Sequence, residues 1–101
     1  MSIPHSPFPK EVYERNAEIY KLMANPKRLE ILNILKNGQA TLTQLVDIIK
    51  APKPNISQHL AILSHLRLIQ RTKRDREAYY KIVNPKIVEA CKILKMIWST
   101  R

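Results

Sequence analysis

Glycine is almost missing from this chain, with Gly38 the only one in 101 residues. Loops that cradle phosphate groups need several glycines, because the backbone must approach its ligand closely, so a nucleotide-binding loop is not expected. Cysteine is equally scarce. Cys91 stands alone, which excludes an internal disulfide and suits a reducing compartment. Acidic residues are few: 8 Asp and Glu face 18 Lys and Arg, for a formal net charge of +10. A field of one sign attracts polyanions, either nucleic acid or an anionic membrane surface. No apolar run approaches the roughly 18 residues of a membrane helix, and the opening Met-Ser-Ile-Pro-His-Ser-Pro-Phe-Pro has neither the form of a signal peptide nor that of an anchor. A nucleophile elbow, paired carboxylates and a Cys/His arrangement are also absent, so no enzyme is expected, and the chain reads as cytoplasmic.

What is present is a hydrophobic fraction of 45%, enough for one ordered domain over 1–101 with a single core. Residues 1–8 form a flexible, proline-rich lead. From Pro9 to Met23 the apolar residues Val12, Tyr13, Ala17, Tyr20 and Met23 recur at helical spacing. Asn25-Pro26 is an N-cap followed by proline at the first helical position, opening a second helix that Gly38 closes in a left-handed conformation. Thr41-Leu42-Thr43-Gln44 has the capping-box form and starts a third helix through Ile49. Pro52 and Pro54 break it, so a fourth helix is predicted to begin close to Asn55.

Turning the fourth helix by about 100° per residue puts Ile56, Leu60 and Leu63 on a core side and Pro54, Gln58, Ala61, Ile62 and His65 outside. Leu68 to Thr72 and Ala78 to Val83 are rich in strand formers and flank Lys73-Arg74-Asp75-Arg76, which predicts a hairpin over 68–83. Asn84-Pro85 then repeats the cap-plus-proline start of a last helix over 85–99, with Ile87, Val88, Cys91, Leu94, Ile97 and Trp98 on its apolar side. The fold class is mainly α (α+β): about five helices with a two-stranded wing, in the order of a winged helix-turn-helix.

The third and fourth helices, at 42–66, have the form of a helix-turn-helix, whose second member leads into the major groove with its N-terminal turn. Lys53, Asn55, Ser57, Gln58, His59 and His65 are the candidate contacts of that helix, although His59 borders its core side and fits a local hydrogen bond better. Asn55, Ser57 and Gln58 carry short or amide groups suited to adenine edges and phosphates. Arg71, Lys73, Arg74, Arg76 and Lys81 are the candidate contacts of the wing, carrying more charge than a turn needs for solubility. Helix-turn-helix and basic wing in this order point to double-stranded DNA as the partner, with no membrane involved.

The same residues match a family. From Leu22-Met23-Ala24-Asn25-Pro26-Lys27-Arg28-Leu29-Glu30-Ile31-Leu32, through Ser57-Gln58-His59-Leu60, to Tyr79-Tyr80-Lys81-Ile82, the chain resembles the ArsR/SmtB family of winged-helix repressors, over about Glu18 to Leu94. The resemblance implies a homodimeric repressor built on the first and last helices, 9–23 and 85–99, and binding a two-fold operator. Tyr13, Ala17, Tyr20, Val88, Cys91, Leu94, Ile97 and Trp98 are the candidate interface, and the terminal helices do carry more apolar surface than one small core can cover. Half-sites should lie about 34 Å apart.

The family's sensing sites are not matched. Thr41-Leu42-Thr43 stands where many members have a C-x-C motif, and hydroxyls do not replace thiolates for soft metals. The last helix has no His or Asp, and His5, His59 and His65 make no metal cluster. Neither a metal nor another cofactor is expected, and the sequence does not name an inducer. Cys91 reads first as a small buried hydrophobe and only secondarily as a redox group shared between two copies. The family's usual glycines after the recognition helix and in the wing are replaced by Arg67 and by the Gly-free Lys73 to Arg76. Either those turns are built differently, or the Arg side chains are worth a strain of about 1 kcal/mol. The second functional reading is a sequence-tolerant architectural or accessory nucleic-acid-binding protein. A third uses the winged helix as a protein-interaction module.

Overall fold

The structure is a computed structural model and describes residues 3–99. Its elements run α1 Lys10–Met23, α2 Pro26–Lys36, β1 Ala40–Thr41, α3 Leu42–Ile49, α4 Lys53–His65, β2 Ile69–Arg74, β3 Glu77–Ile82, a 3-10 turn Pro85–Val88 and α5 Glu89–Ser99. The helix starts follow from their caps. Asn25 Oδ1 accepts from the N–H groups of Lys27 and Arg28 at 3.0 and 3.2 Å, with Pro26 behind it needing no partner. At α3 the Thr41 hydroxyl accepts from the Gln44 N–H at 3.1 Å, while Gln44 Oε1 accepts from the Thr41 N–H at 2.9 Å. That is the reciprocal capping box.

Three boundaries differ from the sequence reading. Helix α4 begins at Lys53, not near Asn55, because Pro52 is its N-cap and Pro54 lies in its first turn, where a missing N–H costs nothing. The N–H groups of Asn55 and Ile56 both reach back to the Pro52 carbonyl, at 3.0 and 3.2 Å. The last helix begins at Glu89, since Asn84 and Pro85 open a 3-10 turn first. Gly38 has φ 148, outside the left-handed helical well, and α2 closes instead through the N–H groups of Asn37 and Gly38 on the carbonyls of Ile34 and Leu35.

The sheet has three strands in the order β1-β3-β2, not two. Ala40 pairs with Tyr80 and Thr41 with Tyr79, so the chain entering α3 is tied to the wing's return strand. That tie fixes the helix-turn-helix and the hairpin relative to each other. Ile31, Leu32 and Leu35 of α2, Leu45 of α3, Ile56, Leu60 and Leu63 of α4, then Leu68, Ile69, Tyr80 and Val88 make one buried cluster. Each fully buried Leu or Ile contributes about 1.5–3 kcal/mol over an exposed one.

The terminal helices contribute little to this cluster. Only Met23 of α1 is buried, and no residue of α5 is. The radius of gyration is 16.4 Å, with extents of 62 × 36 × 21 Å, where a closed domain of this length would have about 13 Å. Ser6 and Phe8, expected in the flexible lead, rest on α1: the Ser6 and Tyr13 hydroxyls share a hydrogen bond at 2.7 Å, and the Phe8 ring meets Tyr13 edge-on at 6.0 Å. Among the described residues no helix is long and apolar enough to cross a membrane.

Candidate nucleic-acid interface

Because Ile56, Leu60 and Leu63 take the core side of α4, its leading turn presents Lys53, Asn55, Ser57 and Gln58 to solvent. No side chain caps this helix start, so its positive dipole end stays open to an anion. Beside it lies a groove of about 400 Å³ lined from three directions: Thr41, Leu42 and Thr43 at the start of α3, Lys53 and Ser57 of α4, and Arg71, Lys73 and Arg76 of the wing, with Glu77, Ala78 and Tyr80. Residues up to 39 positions apart, Thr41 and Tyr80, thus meet in one basic concavity, and the carboxylate of Glu77, its one acidic lining residue, accepts from the Tyr79 hydroxyl. Among the described residues no acid–base pair lies within 4.0 Å, so this charge is not neutralised inside the chain.

The strand register sorts the wing's cations into two sets. Arg71 lies opposite Tyr80 and Lys73 opposite Ala78, on the face that continues from the buried Ile69 and Tyr80 toward α4. Gln70–Lys81, Thr72–Tyr79 and Arg74–Glu77 pair on the reverse face. There the Arg74 guanidinium stacks 4.4 Å above the Tyr79 ring, whose hydroxyl donates to Glu77 at 3.3 Å. Arg74 and Lys81 therefore do not join Arg71, Lys73 and Arg76 at the groove.

The glycine-free turns keep the geometry that glycine usually serves. Asp75 and Arg76 have φ 49 and 73, both positive, as a two-residue type I′ hairpin requires. Arg67 has φ 61 and ends α4 with its neighbour's N–H, Leu68, bonded to the Leu63 carbonyl at 3.0 Å, a Schellman closure. The chain accepts the strain and keeps the side chains. Arg76→Gly is accordingly expected to raise stability by up to about 1 kcal/mol in denaturant unfolding while lowering the salt slope of DNA binding by about 0.9 per copy. Opposite signs in the two measurements would separate the turn's strain from its charge.

Two of the candidate histidines do not line the groove. His59 is half-buried, and its Nδ1 accepts from Arg28 Nε at 3.1 Å, while Arg28 Nη1 donates to the Leu22 carbonyl at 2.6 Å. The imidazole thus anchors α4 to α2 and to the end of α1, as the local hydrogen bond expected of a residue at the border of the core side. An acceptor Nδ1 carries no proton, which fixes the neutral tautomer. Burial, then the charges of Arg28 and Lys27, hold its pKa below the ordinary 6.5. The unfolded chain then takes up this proton first, so stability is full above about pH 6.5 and falls as the pH drops below it. His59→Gln should remove that component, seen as a wild-type-minus-variant difference in unfolding free energy that changes between pH 7 and 5.

His65 lies about 15 Å along α4 from Asn55, beside Arg15, Glu18 and Arg67, and shares no surface with the basic groove. Thr43 lines the groove as well, and it was not among the candidate contacts read from the sequence. The capping box already placed it in the exposed first turn of α3, but Thr41-Leu42-Thr43 was weighed only as a replaced metal motif.

At the other end of the molecule Tyr13, Ala17, Tyr20, Leu94, Ile97 and Trp98 are exposed, Trp98 at 67%. Val88 does not belong with them. It is 1% exposed because the 3-10 turn packs it onto α2, within the core. Between α1 and α5 runs an apolar groove of about 420 Å³ that includes Tyr20, Met23, Leu29, Ile87, Cys91 and Leu94. Cys91 is half-buried there as a free thiol, its Sγ accepting from the Asn33 amide at 3.5 Å. Among the described residues no three His, Cys, Asp or Glu side chains gather as a metal site.

Comparison with known proteins agrees with this architecture. Residues 25–71 match the model of the bacterial regulatory protein, arsR family. The chain is 36% identical over 85 residues to an uncharacterized HTH-type transcriptional regulator of Methanocaldococcus jannaschii, covering 83% of this chain and 96% of that protein. It is 39% identical over 85 residues to the transcriptional repressor PagR of Bacillus anthracis, covering 83% and 85%. The PagR crystal structure superposes with a TM-score of 0.71, at 34% identity over 85% of this chain and 99% of that one. A homodimeric winged helix-turn-helix domain from Mycobacterium bovis, 18% identical, shares the fold with a TM-score of 0.75 over 97% and 91% of the two chains. Helix caps, reading helix, wing and relatives agree: this chain belongs to the ArsR family of bacterial transcriptional regulators.

Proposed function

We propose that the chain is a homodimeric DNA-binding repressor that reads a two-fold operator, without catalysis and without a metal as its signal. One observation carries this reading: Lys53 and Ser57 of α4 meet Arg71, Lys73 and Arg76 of the wing in one groove whose charge finds no partner among the described residues. Asn55, Ser57 and Gln58 are assigned to base edges and Lys53, Arg71, Lys73 and Arg76 to phosphates, with Thr43 adding a hydroxyl at the neighbouring strand. Arg74 and Lys81, on the reverse face, add to the positive field of the wing without joining this contact set.

The dimer is supported by α5, which buries none of its residues, and by the apolar groove between it and α1. Joining two copies there would carry the leading turns to successive major grooves about 34 Å apart. The test is anisotropy with a duplex from the chain's own upstream region and with a scrambled duplex, at fixed salt. The expected result is a preference of at least about 10³ for the first. No binding by folded protein would overturn the reading, and equal affinity for both duplexes would favour the sequence-tolerant alternative.

A further inference from the structure

A separate pocket of about 380 Å³ lies between α1 and the far end of α4, lined by Arg15, Glu18 and Ile19 of the first and by His65, Leu66 and Arg67 at the close of the second. It shares no lining residue with the DNA groove and has the size of a small-ligand site. Arg15 and Glu18 are three apart, so they project from one face of α1. Among the described residues neither Arg15 nor Arg67 comes within 4.0 Å of the Glu18 carboxylate or of any other acid. Arg67 holds φ 61 in the Schellman closure of α4, a position where glycine would be unstrained. An exposed cation at a helix C-terminus gains from the dipole by no more than an amount comparable to that strain. The carbonyls it could serve are already bonded, since Ile62, Leu63 and Ser64 accept from the N–H groups of Leu66, Leu68 and Arg67 at 3.1, 3.0 and 3.0 Å. Nor does the dipole account for Arg15, a second guanidinium brought into the same pocket, where like charges repel unless an anion lies between them.

We propose that this pocket binds a small oxyanion that carries its own O–H group, inorganic phosphate being the simplest. Arg15 and Arg67 donate to its charged oxygens, His65 donates through an imidazole N–H, and Glu18 accepts from the O–H. The acid sets the selectivity. At neutral pH a phosphate ion keeps at least one proton that a carboxylate can accept, whereas sulfate has none and would set bare oxygens against Glu18. Helix α1 is otherwise tied to α4 through Arg28, whose guanidinium donates to both the Leu22 carbonyl and His59. The bound ion adds a direct link between the two helices, earlier along α1.

The site needs neither DNA nor a second copy, so it stands or fails apart from the DNA reading. Backbone amide shifts of the wild-type chain are followed during titration with sodium phosphate and, separately, sodium sulfate, at constant pH and ionic strength. Phosphate should give saturable shifts at Arg15, Glu18, His65 and Arg67, with an affinity at least about tenfold above that of sulfate at the same residues. Arg67→Gly suits φ 61 and so keeps the fold, and it should weaken phosphate binding about tenfold or more. Glu18→Gln, an exposed change, should narrow the phosphate-to-sulfate ratio to about threefold or less, because the amide can donate to a bare oxygen. Shifts confined to the DNA groove, or left unchanged by Arg67→Gly, would overturn the site. Equal affinity for the two anions in the wild type would overturn the selection by Glu18. Shifts at Arg15 and Arg67 on adding a duplex, with none on adding phosphate, would assign the pocket to the DNA backbone and overturn the proposal as well.

Discussion

Replacing Arg71, Lys73 and Arg76 together with alanine is expected to lower the slope of log affinity against log salt by about 2.7 per protomer, at about 0.9 for each lost phosphate contact. The same arithmetic gives an affinity loss of about 500-fold per protomer at 0.1 M salt relative to the limit near 1 M, where the electrostatic contribution vanishes. The fold should survive, since all three side chains are exposed and none is bonded among the described residues. The reverse-face pair provides the control. Arg74→Ala with Lys81→Ala removes two charges of the same sign from the same hairpin, so a loss that depended on net charge alone would be nearly as large. The groove geometry predicts a clearly smaller one, because Arg74 is held against Tyr79, away from α4. Titrating salt with one duplex and the three proteins separates position from charge.

Leu94→Glu combined with Ile97→Glu is expected to leave a folded monomer that binds the full operator about 10² to 10⁴ times more weakly. These residues are 58% and 68% exposed, so the core does not lose a contact. A pair joined through α5, however, would have to bury four carboxylates without partners, which costs far more than a surface ion pair returns. Once the copies separate, the second half-site no longer binds at the high effective concentration that linkage provides, and its share of the affinity is lost. Sedimentation should show half the wild-type mass with an unchanged helical spectrum.

Much of this was legible in the chain because the signals are local. Asn25-Pro26 and Thr41-x-x-Gln44 satisfy helix N–H groups within four residues, so the starts of α2 and α3 could be read directly. The division of α4 into Ile56, Leu60 and Leu63 against Gln58, Ala61 and His65 follows from one period. What escaped depends on partners distant in sequence. The short β1 has no pattern of its own, and exists because Ala40 and Thr41 meet Tyr80 and Tyr79. That His59 orients a hydrogen bond was legible, but not that its partner is Arg28, 31 residues earlier. Val88 shares the apolar spacing of α5, but the 3-10 turn rotates it inward, onto α2. The five wing cations read as one cluster, and only the pairing register shows that Arg74 and Lys81 face the other way. Proline misled for a related reason: Pro52 and Pro54 break a helix or begin one depending on which turn they occupy, and the start at Lys53 is set by packing of Ile56 into the core.

The central claim is that the leading turn of α4 and the groove face of the wing form a single DNA surface, and backbone amide shifts during titration with a specific duplex test it most directly. The account predicts that the largest changes fall at Thr43, Lys53 to Gln58, Arg71, Lys73 and Arg76, with little change along α1 and α5. Shifts concentrated on α1 or α5, with the groove residues unmoved, would contradict it.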